Sequence, residues 1–157
     1  ELSWEEFSAP WETATKSAFH FSNAVLAGLF GPAVTMVSFS SGASLQGSPL
    51  SGGYAGAKRM QHFLTQYAQR EADRQGAAHR FISIIPKQLM EGTEIGEAAS
   101  SAYALAAGIT PKEFMARWDK PLTPDLAAMQ VIEILTAPAH SDSSSFALTG
   151  AGIESNV

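Results

Sequence analysis

Two short apolar runs constrain this chain more than any other feature. Ala33-Val34-Thr35-Met36-Val37-Ser38-Phe39 and Arg80-Phe81-Ile82-Ser83-Ile84-Ile85-Pro86 are rich in β-branched residues and lack strict polar alternation. That is the pattern of strands buried on both faces. Between them, Met60, Phe63, Leu64, Tyr67 and Ala68 recur at helical spacing over Tyr54 to Gln75, with Gly76 as a stop. A second long helix is predicted over Trp11 to Leu29, with Ala18, Phe21, Ser22, Val25 and Leu29 on one face and Gly31-Pro32 ending it. Ser40 to Gly53 and Lys87 to Thr93 read as loops, and Glu94 to Ala107 as a helix. Thr110-Pro111-Lys112-Glu113 has the capping-box arrangement with proline in the first turn. Thr123-Pro124-Asp125 opens a further helix ending near Leu135, and His140 to Ser145 is a polar loop. Phe146-Ala147-Leu148-Thr149 reads as the last strand, before Gly150 and a loose tail. Strands alternating with helices predict an α/β fold: a parallel sheet with right-handed crossovers and helices on both faces.

A chain of 157 residues suits one domain, spanning 1–157. The net charge of -5 argues against nucleic acid or an anionic membrane as partner. Cysteine is absent, which excludes disulfides and thiolate metal sites. No apolar run reaches the roughly 18 residues of a membrane span. Glu1-Leu2-Ser3-Trp4 has neither the basic start of a signal peptide nor an initiator methionine. The expectation is a cytoplasmic protein whose numbering begins inside a longer chain or after processing.

In open α/β sheets, ligands bind beyond the carboxyl ends of the strands. The loops after the two apolar runs lie there, so chemistry is sought in Ser40–Gly53, in Lys87–Thr93 and in the helix that follows the first. Tyr54 and Lys58, four apart at a helix start, share one face about one turn apart. A free tyrosine ionises near pH 10, too high for efficient acid/base work. A neighbouring ammonium and the positive helix N-terminus both favour the phenolate. A serine hydroxyl aimed at the same point can hold a carbonyl or alkoxide oxygen. Such a group moves a proton at a substrate oxygen, while hydride has to come from a cofactor.

A buried strand leading into Ser40-Ser41-Gly42-Ala43, a Gly/Ser-rich loop, Tyr54-Ala55-Gly56-Ala57-Lys58 on an amphipathic helix, and a strand ending in Ile85-Pro86 together resemble the short-chain dehydrogenase/reductase family. Trp11–Leu29 is similar to that family's preceding helix, and Leu148-Thr149-Gly150 to its last strand. The resemblance covers nearly the whole chain but only the family's C-terminal part. It implies the final three strands of a Rossmann-like doubly wound fold. It implies NAD or NADP as cofactor, with a small-molecule alcohol or carbonyl as substrate. By it, Tyr54 is the general acid/base, Lys58 holds the nicotinamide ribose, and Ser41 orients the carbonyl, Ser40 being the near miss. Pro86 lines the nicotinamide, Thr93 bonds its carboxamide, and 94–118 forms a mobile substrate lid. The two long helices pair across a homo-oligomer interface.

The chain departs from the family pattern in places. It has no Gly-rich phosphate loop and no Asn-Asn-Ala-Gly segment. Ala14 stands where a helix asparagine is usual, and Lys87 follows Pro86. A non-catalytic half-fold that binds a partner is therefore the alternative, and an unpaired sheet edge would then be an association hazard.

Other patterns are weaker. His20, His62, His79 and His140 lack metal-ligand spacing, so no metal is expected. Ser38-Phe39-Ser40-Ser41-Gly42 follows a strand as a hydrolase elbow does, but Ser38 occupies the first glycine's place. Ile95, Tyr103, Phe114, Met115 and Trp118 suit either an apolar pocket or core packing.

Overall fold

The computed structural model describes residues 1–157. Its first helix begins earlier than the apolar spacing predicts. Ser3 caps α1 (Trp4–Pro10): its hydroxyl accepts from the Glu6 N–H, and the Glu6 carboxylate accepts from the Ser3 N–H. Those N–H and O–H groups hold the Glu6 carboxyl below the usual range. Pro10 has no N–H to give, and the ladder widens into a π-helical turn over Trp11–Thr15 before α2 (Lys16–Leu26) resumes. The true stop is Gly28, not Gly31-Pro32. With φ of 73° it closes the helix, its N–H on the Val25 carbonyl and the Leu29 N–H on the Ala24 carbonyl.

β1 (Thr35–Phe39) follows, and a single turn, α3 (Ala43–Gln46), forms inside the segment read as loop. α4 (Gly52–Gln75) ends at Gly76 as expected, and β2 (Arg80–Pro86) matches its apolar run. α5 (Glu94–Ala107) and α6 (Pro111–Met115) come next, the latter with the capping box at Thr110 and Glu113. α7 (Pro124–Thr136) and a 3₁₀ turn (Pro138–His140) lead to β3 (Ser145–Thr149).

The predicted loose tail is instead a fourth strand, β4 (Gly152–Ser155), antiparallel to β3 with Leu148 opposite Ile153. Beyond it the Asn156 N–H reaches the Ser145 carbonyl. Four residues with one strong apolar position give too little pattern to read locally. The sheet runs β1-β2-β3-β4, with β1–β2 and β2–β3 parallel. β1 has a neighbour on one side only.

Helices cover both faces, as expected, but not by two right-handed crossovers. Phe81 packs with Val25, Ala68 and Ala72 under α2 and α4. Ile82 and Ile84, on the other face of the same strand, pack with Ala127 and Ile134 of α7 and with Phe146 and Leu148. The strand order advances in one direction while α4 and α7 lie on opposite faces, so the two crossovers have opposite hands. The handedness rule rests on a short connection that transmits strand twist to one helix. The β2–β3 connection runs from Lys87 to Ser144 through helices that first pack on each other, which relaxes it.

The buried stripes also differ from the predicted ones. α4 meets the sheet through His62, Ala68 and Ala72 and also buries Ala57 and Thr65, while Phe63 and Tyr67 are 47% and 57% exposed. α2 buries Ala18, Ser22 and Val25 and exposes Phe21, and Leu29 is exposed beyond its end. Small side chains let the helices sit close to the sheet, and the large apolar ones are left outside.

Candidate functional site

The carboxyl end of β1 is held tightly against β2. The Ser40 N–H donates to the Ile84 carbonyl at 2.7 Å, and the Gly42 N–H to the Pro86 carbonyl at 2.8 Å. Ser41 is carried between these two bonds, so its position is set by backbone on both sides. The pair of serines is then resolved by their partners. Ser40 is buried, and its hydroxyl donates to the Lys58 carbonyl at 2.8 Å. Ser41 is half-buried, and its hydroxyl accepts from the Ala43 N–H at 3.2 Å, which leaves its own proton to give.

α4 starts immediately beyond this loop. Tyr54 lies in its first turn and Lys58 one turn later, both half-buried. The Lys58 ammonium lies 5.8 Å from the Tyr54 ring centroid. It donates to the Phe39 carbonyl at 2.8 Å and to Gln61 Oε1 at 3.0 Å. Phe39 is two residues before Ser41, so Lys58 bridges the helix and the strand end that carries the serine. Burial lowers the Lys58 pKa, since a desolvated ammonium is less stable than the neutral amine.

The first turns of α4 can approach α1 because their residues are small. A methyl on Gly53 would lie 1.7 Å from the Phe7 carbonyl oxygen, and the Trp11 indole sits over Gly56. The Thr15 hydroxyl reaches the Ala57 carbonyl at 3.5 Å. Ala14 is on the same π-helical turn and carries no polar group.

Pro86, half-buried, closes β2 beside Gly42. Thr93 stands at the N-terminus of α5. Its hydroxyl donates to the Met90 carbonyl at 2.8 Å and accepts from the Gly96 N–H at 3.1 Å, capping α5. Sequence reading passed over Gln88, whose Oε1 accepts from the Leu122 N–H at 2.6 Å and the Gly150 N–H at 3.3 Å. That one side chain ties the loop after β2 to the approach to α7 and to the β3–β4 turn. No local pattern marks it, because both partners are distant in sequence.

In 94–118, Phe114 and Met115 are buried with Ala104, under Leu89, Tyr103 and Trp118. They form a satellite core. The Tyr103 hydroxyl meets Ser48 Oγ at 2.5 Å, which joins α5 to the loop after Ser41. A groove of about 310 Å³ beside α5 is lined by Glu91, Glu97, Lys112 and Met115, among others. A wholly polar groove of about 340 Å³ lies at the opposite end of the sheet, around Arg70, Arg80 and Asp142. Neither includes Ser41, Tyr54 or Lys58. No helix is long and apolar enough to cross a membrane.

No protein-family model matches the chain, and no curated protein matches it by sequence. Among solved structures it superposes on the sorbitol-6-phosphate 2-dehydrogenase of Erwinia amylovora with a TM-score of 0.73 at 17% identity, over 96% of this chain and 61% of that one. It superposes on Pen from Bacillus thuringiensis with a TM-score of 0.55 at 15% identity, over 87% of this chain and 39% of that one. The chain thus spans less than two thirds of either neighbour. At such identities the likeness is one of fold: an α/β, mostly parallel sheet with flanking helices, matching part of a Rossmann-like domain.

Proposed function

We propose that the chain is the substrate-side part of an NAD(P)-dependent oxidoreductase of the short-chain dehydrogenase/reductase type, interconverting an alcohol and a carbonyl. The observation that carries this reading is the seat of Lys58. Its ammonium is bonded to the carbonyl of Phe39 at the carboxyl end of β1, one helical turn from Tyr54 and two residues from Ser41. A general helix surface would leave such a lysine in water. The likeness of fold to a dehydrogenase supports the same reading.

The residues present suit one end of the cofactor. Lys58 has two of its three N–H groups engaged, which leaves one for a ribose hydroxyl. Pro86 gives an apolar surface at the end of β2, next to Gly42. The 157 residues include no Thr/Ser-Gly-x-x-x-Gly-x-Gly phosphate loop, so they lack that pattern's cradle for a pyrophosphate. The nicotinamide, when bound, supplies or takes the hydride. In reduction the Tyr54 phenol gives its proton to the substrate oxygen, and in oxidation the phenolate takes it back. Ser41 donates its free proton to the same oxygen, holding the carbonyl in place. Lys58 fixes the ribose and brings a cationic group within one turn of the phenol. The Thr93 hydroxyl, which caps α5, keeps one lone pair that would accept from the nicotinamide carboxamide. By the same reading α2 and α4 pair with those of a second copy.

Turnover by a form of the protein that acts on an alcohol or carbonyl tests the assignment. Tyr54→Phe is expected to lower kcat by about 10²- to 10⁴-fold and leave cofactor affinity nearly unchanged. Retained turnover would refute it. Titrating NADH and NADPH into the 157-residue chain at about 1 mM tests autonomy. Absence of binding there would favour the half-fold interaction protein for this chain by itself.

A further inference from the structure

An ammonium has three N–H donors and no acceptor, and its direction is undefined until acceptors define it. At Lys58 one acceptor, the Phe39 carbonyl, is backbone and would be present whatever the sequence. The other is a chosen side chain, Gln61 Oε1, at 3.0 Å. Tyr54, Lys58 and Gln61 fall four and three apart, on one stripe of α4. Gln61 is half-buried, and its own carbonyl is capped by the Thr65 hydroxyl at 2.9 Å. Its carboxamide accepts from the ammonium without neutralising it, as a carboxylate would. Lys58 is in no ion pair, since the salt bridges of the chain involve Lys16, Arg74, Lys87 and His140 as the cationic partners.

We propose that Gln61 is the positioning residue of Lys58: with the Phe39 carbonyl it directs two N–H groups and leaves the third for a ligand. The functional weight of this rests on the reading of Lys58 given above; the contact and its effect on the ammonium do not.

The other ionisable groups around α4 at this level are known. α4 itself carries Tyr54, Arg59 and His62. Glu5 and Glu6 are on α1, Glu12 is on the π-helical turn, Lys16 and His20 are on α2, and Arg80 is at the far end of β2. α3 and β1 carry none. A change at Gln61 can therefore be read at Lys58 with those groups held constant.

The experiment is NMR titration of Lys58 Nζ and Cε in the intact chain, in wild type and in Gln61→Ala, Gln61→Met and Gln61→Glu. Gln61→Ala and Gln61→Met remove an acceptor that favours the charged form, so the midpoint should fall by about one pH unit. Gln61→Glu adds a negative charge in its place, so the midpoint should rise. Gln61→Met keeps volume and helix propensity, which separates loss of the hydrogen bond from loss of packing. Equal midpoints in all four proteins, with unchanged circular dichroism, would overturn the proposal. Failure of Tyr54→Phe to affect turnover would overturn the catalytic reading and leave these shifts as they are.

Discussion

At the level of single residues, the protein is organised by polar groups buried between α4 and the sheet. His62 is one of them. It is 5% exposed, and its Nδ1 lies 2.8 Å from Ser83 Oγ. Burial, and then the charge of Arg59, lower its pKa below the usual value of 6.5. The folded state therefore resists protonation where the unfolded chain accepts it. Between the lowered value and about 6.5 the unfolded state binds more protons, so stability rises with pH across that window. Acidification through the same window should lower Tm. His62→Gln should flatten that slope below about pH 6.5. A slope that survives the substitution would assign it elsewhere. The sequence shows only a histidine on a helix; its burial depends on Ser83 arriving opposite it from β2.

At the level of elements, the approach of α1 to α4 is decided by small residues in the Tyr54-to-Lys58 stretch. Replacing glycine by alanine in a helix ordinarily stabilises by about 1 kcal/mol. At Gly53 the new methyl would meet the Phe7 carbonyl oxygen at 1.7 Å, so one backbone has to move. Gly53→Ala is expected to destabilise by about 1–3 kcal/mol, read by thermal or urea unfolding. Gly56→Ala, 3.2 Å from Trp11 Cζ2, should cost less, since a side chain can yield. A stabilised Gly53→Ala would mean that α1 does not pack here. The helix start at Trp4 was legible in hindsight: Ser3 and Glu6 have the capping-box spacing. α5 and β2 were read with their observed limits because cap, stop and apolar run agree there. β4 was not, because an edge strand of four residues owes its existence to its pairing with β3.

At the level of the whole molecule, the chain exposes more surface than its size requires. A compact monomer of 16.6 kDa would expose roughly 7,600 Å². This chain exposes 9227 Å². The excess includes aromatic groups on the outer faces of α2 and α4, with Phe19 50% and Tyr67 57% exposed. Phe63 and Tyr67 lie with ring centroids 5.3 Å apart and form one patch. Large apolar patches on a protein surface mark association sites. Self-association through this face predicts a concentration-dependent mass in analytical ultracentrifugation. The double substitution of Phe63 and Tyr67 by Glu should shift it to monomer with little loss of Tm, because neither ring is buried. A monomer at all concentrations in the parent chain would remove the basis for pairing these helices. The open edges of the sheet at β1 and β4 are further surfaces left without a neighbour, and retained association in the double variant would point to them.

The placement of Tyr54 and Lys58 on one helix face, and of Ser41 just past a strand end, was legible from the sequence because it is local. A spacing of four sets two side chains on one helix face, and an apolar run followed by small polar residues sets a strand end. The alternation of strands and helices, and with it the α/β class, follows from the same periodicities. What depends on residues far apart in the chain had to wait for the tertiary structure. It decided that Ser40 is tied to α4 while Ser41 keeps a free proton, that Lys58 is held by Phe39 and Gln61, and that Thr93 is a cap. It also set which helix faces are buried and the opposite hands of the two crossovers. Periodicity states which residues share a face; only packing against a particular neighbour states which face is turned inward and which hydrogen bonds it makes there.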